Sequence, residues 1–229
     1  MSMKLRFVSV LVLVTALVLS ASGVQAAETK TDIEITVSKT GDAAWKVTNT
    51  LSFTSQTEQQ AFTNMINNQT RMQERKTSIV NGFRSLIRRA SDDVERQMSI
   101  KDSTIKGSVG EDTGTLTVKF TWTNFAESTS EGRVVVGDMV SGLSLDEGER
   151  LTLKGPFPVA NASSGTVDGS TVVWKGPSEV SENAKVVFEK TDGGTDGDGS
   201  GGGQGLPGFG LLIGGLAVAA AGLARICRS

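Results

Sequence analysis

The apolar residues of this chain change their spacing twice, and those changes set the order of its elements. Residues 31–38 (TDIEITVS) alternate strictly, with Ile33, Ile35 and Val37 on one face and Asp32, Glu34 and Thr36 on the other. That is the pattern of a half-buried strand. Lys39-Thr40-Gly41-Asp42 has turn chemistry. Trp45, Val47, Leu51 and Phe53 share one parity, which predicts a partner strand over 44–53 and a hairpin. The spacing then lengthens to about 3.6. Ser55 and Glu58 form a capping box, and Ala61, Phe62, Met65 and Ile66 form the stripe of a short helix ended by Asn67-Asn68. A longer helix is predicted over 72–98. Ile79, Phe83, Leu86, Ile87, Ala90, Val94 and Met98 fall on one of its faces, and Arg84, Arg88, Asp92 and Arg96 form a column on another. Gly82 weakens it by up to about 1 kcal/mol relative to Ala.

Period two returns at Ile100. Glu111-Asp112-Thr113-Gly114 is a turn, and Leu116, Val118, Phe120 and Trp122 alternate after it. Short strands are expected at 134–136, 151–153, 172–174 and 186–188, separated by Gly, Pro and Asp. The fold class is therefore α+β over residues 27–190: an antiparallel β-sheet or sandwich with a two-helix insertion after the first hairpin. The helices should cover one sheet face. A single sheet and a two-layer sandwich both fit the pattern. No solenoid repeat is present.

The ends have a different composition. Lys4 and Arg6 precede an apolar run from Phe7 to Leu19, followed by small residues through Ala26. This reads as a signal peptide over 1–26, cleaved between Ala26 and Ala27; an uncleaved anchor is the alternative. Residues 191–206 form a Gly- and Asp-rich linker, with eight Gly among the 13 residues of 193–205. As a flexible coil, those residues would span about 20 Å. From Leu206 to Ala224 there is no charge for 19 residues, enough for a helix of roughly 28 Å. Arg225 and Arg228 follow, which favours a cytoplasmic end for that segment and an external domain.

Pro207-Gly208-Phe209, the apolar Ala/Gly/Leu-rich stretch after it and the terminal arginines resemble the archaeal PGF carboxy-terminal sorting signal, over 207–229. The resemblance implies processing by an archaeosortase, a lipid anchor replacing the tail, and loss of Cys227 with it. The basic cluster is sparser than is typical, so a retained transmembrane helix is the alternative. The middle of the chain resembles a haloarchaeal extracytoplasmic domain of uncharacterised function. The matching features are the Trp45 hairpin, residues 120–125 (FTWTNF), Val136-Gly137-Asp138, Leu151-Thr152-Leu153 before Pro156, and Trp174-Lys175-Gly176-Pro177. That resemblance implies an extracytoplasmic location and no known activity.

Composition excludes several chemistries. There is no His, so no His-based triad, general base or imidazole metal site. The single Cys, Cys227, excludes an internal disulfide and a Cys-cluster metal site. The formal charge is −2 from 23 basic and 25 acidic residues; without Lys4 and Arg6 it is more acidic still, which argues against a nucleic-acid partner. Asn68-Gln69-Thr70 and Asn161-Ala162-Ser163 are sequons placed in expected loops, so Asn68 and Asn161 are candidate N-glycosylation sites. Trp45 and Trp122 share parity with aliphatic neighbours and read as core; Trp174, at a strand end, could also be a sugar-stacking platform. Asp146-Glu147-Gly148-Glu149 reads as a solvated acidic loop, with no calcium-loop spacing. The seven basic residues from Arg71 to Arg96 read as a solvated, ion-paired helix face, or as a docking face for an acidic partner or anionic headgroups. Residues 193–205 lack the Lys and context of a phosphate loop.

The expected function is that of a secreted, C-terminally anchored surface domain, acting by binding or as an envelope component. It is expected to have no catalytic residues, metal or cofactor. Its expected partners are the membrane, the processing archaeosortase, and an envelope protein or glycan. A sensor or accessory subunit with a retained transmembrane helix is the main alternative. A hydrolase using carboxylates or a Ser-Lys pair is the other.

Overall fold

Strict alternation in the first strand dictates the first structural event, a long hairpin. β1 (Thr29–Val37) and β2 (Ala43–Ser52) pair antiparallel over their whole length, with Ile35 opposite Trp45. The computed structural model describes residues 29–93, 95–137, 144–180 and 184–190, less the side chains of 86, 89, 92 and 93. The signal segment, the linker and the PGF segment, including Ala26, Ala27, Pro207, Gly208 and Phe209, lie outside the described residues.

The two-helix insertion follows the hairpin. α1 (Gln56–Asn67) is capped by Ser55, whose hydroxyl accepts the Glu58 amide at 3.3 Å. Glu58 returns the bond one residue further back than a standard box, accepting from the Thr54 amide at 2.7 Å. The buried stripe is narrower than expected: Phe62 is buried, Met65 and Ile66 are half-buried, and Ala61 is exposed. α2 (Gln69–Asp93) starts and ends earlier than the periodicity suggested. It starts early because the Asn68 carboxamide caps it, accepting the Arg71 amide at 3.0 Å. Beyond its end, Glu95 is left-handed (φ 51) and Arg96 turns away from the expected column. The Arg96 guanidinium donates to the Phe125 carbonyl at 2.9 Å. Met98 packs against the core from outside the helix.

Eleven further strands complete the described part of the domain, three of them only two residues long. β3 (Ser99–Val109) and β4 (Thr113–Thr123) form the second hairpin, with a bulge after Lys101. β5 (Glu127–Ser128), β6 (Arg133–Val136), β7 (Ser144–Leu145), β8 (Glu149–Lys154) and β9 (Val159–Ala162) follow. β10 (Thr166–Asp168), β11 (Thr171–Lys175), β12 (Ser178–Glu179) and β13 (Val186–Glu189) come last. They assort into a seven-stranded sheet, β10-β11-β8-β1-β2-β4-β3, a four-stranded sheet, β5-β6-β13-β9, and the pair β12-β7. All described pairings are antiparallel except β1 with β8. The fold is α+β as expected, a large, mainly antiparallel sheet with two helices inserted after the first hairpin, and the described residues add a smaller second sheet.

One face of the large sheet is shared by both covering layers. α2 covers the β2–β4 part: the Phe83 ring lies 5.9 Å from Trp45 and 4.7 Å from Phe120. The small sheet reaches the β8 end, where the Phe188 ring sits against Gly155 so closely that a Cβ there would lie 2.1 Å from it. Residues from α2, both main sheets and the β12–β7 region belong to one buried cluster. Its centre is a ring stack: Trp45 lies 5.6 Å from both Phe120 and Trp122, and Phe125 stands edge-on to each indole. Each such ring pair adds about 0.5–1.5 kcal/mol beyond the area it buries. Among the described residues, all members of the buried cluster lie within 33–188. The domain therefore carries a complete core of its own.

Candidate functional site: the outer face of the large sheet

A strand has two faces, and the large sheet buries only one. On the other, strand register aligns hydroxyl and ammonium side chains into rungs across the sheet. Lys106, Thr117, Thr48, Asp32, Arg150 and Lys175 form one rung. Thr104, Lys119, Lys46, Glu34, Thr152, Val173 and Thr166 form the next. Lys101, Thr121, Ala44, Thr36, Lys154, Thr171 and Asp168 form a third. Ser108, Thr115, Thr50 and Lys30 begin a fourth at the other end. Every one of these residues is exposed or half-buried. The rungs hold eight basic side chains against three acidic ones and no aromatic ring; Asp102 stands apart, in the β3 bulge.

Glu34 organises the middle of this face. It accepts from Lys154 at 2.7 Å and lies 3.5 Å from Lys46, its neighbours on either side. The Lys154 bond, aided by the charge of both lysines, holds its carboxyl below the ordinary range against a smaller opposing effect of burial.

The inner face carries a second polar feature, a row of three residues across adjacent strands. Thr31 on β1 stands between Asn49 on β2 and Glu149 on β8. All three are buried, at 1%, 3% and 7% exposure. Thr31 Oγ1 lies 2.9 Å from Asn49 Oδ1, and Asn49 Nδ2 is buried without an acceptor among the described residues. Exchanging the amide's oxygen and nitrogen would let Asn49 donate to Thr31 while Thr31 donates to Glu149, so that one donor of the buried amide is paired. Glu149 also accepts the Asp146 amide at 2.8 Å. Burial pushes its carboxyl above the ordinary range, and the Asp146 charge adds to that, while its hydrogen bonds act against it.

This corrects the reading of residues 146–149 as a solvated loop. Gly148 makes the turn at φ 79, and Glu149 enters the sheet with its side chain inward. The other candidate residues are dispersed. Asn68 is exposed between the two helices, its carboxamide oxygen engaged in capping α2. Asn161 is not in a loop: it lies exposed on β9, the edge strand of the small sheet, opposite Val187. The hydroxyl of its sequon partner Ser163 accepts the Lys185 amide at 2.7 Å. Trp45 and Trp122 are core, as expected, and Trp174 joins them at 5% exposure, its indole N–H donating to Ser164 at 3.0 Å. Trp174 therefore offers no exposed platform. Arg75, on the helix face, is turned inward enough that burial lowers its pKa. Among the described residues no three Asp, Glu, His or Cys gather as a metal site, and no helix is long and apolar enough to cross a membrane.

The outer face was readable in the same strands. Lys46-Thr48-Thr50 and Thr115-Thr117-Lys119-Thr121-Thr123 repeat at period two between the apolar positions. That half of each alternation carries the surface chemistry.

Residues 34–157, from the middle of β1 to just beyond β8, match the family described as a domain of unknown function, DUF7345. The chain belongs to that family. The DUF7345 match thus takes in both helices and five strands of the large sheet, β1, β2, β3, β4 and β8. No curated protein matches the chain. Among solved structures, the NMR structure of the folded domain of LppM from Mycobacterium tuberculosis is similar at a TM-score of 0.39 and 11% identity. That similarity covers 76% of this chain and 96% of the LppM domain.

Proposed function

We propose that this chain is a non-enzymatic, cell-surface binding domain: exported by residues 1–26, held at the membrane by residues 207–229, and presenting the outer face of its large sheet to a partner. The observation that carries this reading is that face itself. Among the described residues, no helix or strand covers this side of the seven-stranded sheet, which is furnished with rows of hydroxyls and amines. A face needed only for solubility has no reason to favour one sign of charge in a chain whose net charge is negative. The charge and hydropathy pattern of the two ends supports export and anchoring. The PGF resemblance favours archaeosortase processing and a lipid anchor over a retained helix. Asn68 and Asn161, both exposed, are acceptors for glycan in that setting.

Intact mass of the protein purified from its native membrane tests the reading. The expected result is loss of residues 1–26 and of the tail near Pro207, with added lipid mass and hexose-like mass on peptides holding Asn68 or Asn161. A mass that retains Arg225 to Ser229 would replace the sorted anchor with a transmembrane helix and favour a membrane-complex subunit. A protein recovered free of membrane, with both ends intact, would overturn the reading.

A further inference from the structure

We infer that the outer face of the seven-stranded sheet is a membrane-apposition surface that adsorbs onto anionic lipid headgroups. This deepens the binding reading above and rests on it, naming the chemistry of the partner. Four observations converge. The first is sign: the rungs carry a surplus of five positive charges, while the chain as a whole is at −2. The domain is polarised, and its basic side is this sheet face.

The second is shape. Lys106 on β3 and Lys175 on β11 end the same rung, five strand spacings apart, which is about 24 Å at ~4.8 Å per spacing. The four rungs succeed one another along the strands at about 7 Å intervals. The positive charge is therefore spread over an area, not drawn into a line or sunk in a groove. A linear polyanion would be followed by a line of charge; a planar array of phosphates matches a plane.

The third is the absence of rings from the rungs. Trp45, Phe120, Trp122 and Trp174 all point to the buried side, so the face has nothing on which a sugar ring could stack. The fourth is the hydroxyl content. Thr48, Thr117, Thr121 and Thr152 stand between the charged side chains. Each hydroxyl can donate to a phosphate oxygen while the neighbouring ammonium supplies charge. With Ala44 and Val173 the only apolar members of the rungs, contact is by adsorption and not insertion, so it is reversed by salt.

The test uses the polypeptide 27–190, which holds the complete core and lacks both apolar ends, so that any lipid binding is a property of the folded face. Its flotation is measured with phosphatidylcholine vesicles, with and without phosphatidylglycerol. The expected result is binding only where phosphatidylglycerol is present, abolished at high salt. Each basic residue near an anionic bilayer is worth about fivefold in partitioning. Combining Lys101→Gln, Lys106→Gln and Lys119→Gln should then weaken binding about a hundredfold. Arg150→Gln with Lys175→Gln, near the opposite edge, should weaken it about twenty-five-fold. Circular dichroism checks that each variant is folded. Arg84→Gln with Arg88→Gln, on the exposed side of α2, should leave binding unchanged. Three results overturn the inference: binding lost with the helix pair but not the sheet variants; no vesicle binding but salt-sensitive binding to dextran sulfate, which assigns the face to a linear polyanion; or no binding to either. None of these touches the anchoring reading, which the intact mass decides separately.

Discussion

The two faces of the seven-stranded sheet are made by the same strands and obey opposite rules. In β4 the inward positions are Leu116, Val118, Phe120 and Trp122, all at 2% exposure or less, and the outward ones are Thr115, Thr117, Lys119, Thr121 and Thr123. Neighbouring residues one peptide apart therefore belong to different chemistries. The inner set is constrained by packing against α2 and the small sheet, where a lost atom leaves a void. The outer set is constrained only by register and by whatever touches it. The comparison teaches that stability and binding should separate by parity in this domain, and mutations can test that separation strand by strand.

The largest effect is expected at the ring stack. Trp122→Ala removes a side chain at 0% exposure that stacks on Trp45 and meets Phe125, and should cost about 3–5 kcal/mol in denaturant unfolding. Thr121→Ala, one residue away on the outer face, should stay within about 0.5 kcal/mol. Similar costs for the two would break the parity rule. Next comes Gly155→Ala. The new methyl would meet the Phe188 ring, and the small sheet would have to shift, at about 1–3 kcal/mol. A neutral outcome would show that the small sheet is not seated firmly on the β8 end.

A third effect sets two carboxylates against each other. Glu149, inward, has its carboxyl raised by burial. Between the unfolded value and that raised value the native state holds more protons, so this group makes stability fall as pH rises through the window. Glu34, outward, has its carboxyl lowered, chiefly by Lys154. Its contribution is present above the unfolded value and is lost as pH falls through the lowered one. Glu149→Gln removes the cost of a buried charge while leaving an oxygen for the Asp146 amide. The variant should be more stable than the parent at neutral pH, and the difference should vanish on acidification. Melting temperatures across pH check this; a variant less stable at every pH would mean that the row needs its charge.

How much of this was legible in the chain differs between the faces. The apolar half of each alternation identified β1, β2 and β4, their inward side and the helical insertion, because periodicity is a local property. What could not be read is set by distant partners. Glu149 sits in an acidic run that looks solvated, and only the parallel pairing of β1 with β8, which brings Thr31 beside it, shows that it is buried. Strand order has the same cause: β8 enters beside β1 after more than a hundred intervening residues. The apolar spacing carries α2 past its actual end at Asp93, because Glu95 takes a left-handed conformation that no Gly announces in the sequence. Asn161 reads as loop because β9 is only four residues long, Val-Ala-Asn-Ala, too short for an alternation to show. The outer face stood in the sequence throughout, as Lys and Thr at period two, but its rungs exist only once register aligns six or seven strands.

The smallest effect on stability tests the outer face most sharply. Glu34 lies between Lys46 and Lys154 with its side chain about a third exposed, so Glu34→Gln should cost no more than about 1 kcal/mol. On the inner face, a change with so little effect on stability would have no functional reading. Here it removes one of three acids from the rungs and frees two ammonium groups, so adsorption to phosphatidylglycerol vesicles should rise by about fivefold. A variant that melts like the parent yet binds more tightly would show that the two faces answer to different constraints. If binding falls instead, Glu34 is holding Lys46 and Lys154 in the geometry that the headgroups meet, and the face acts through a fixed arrangement and not through its net charge.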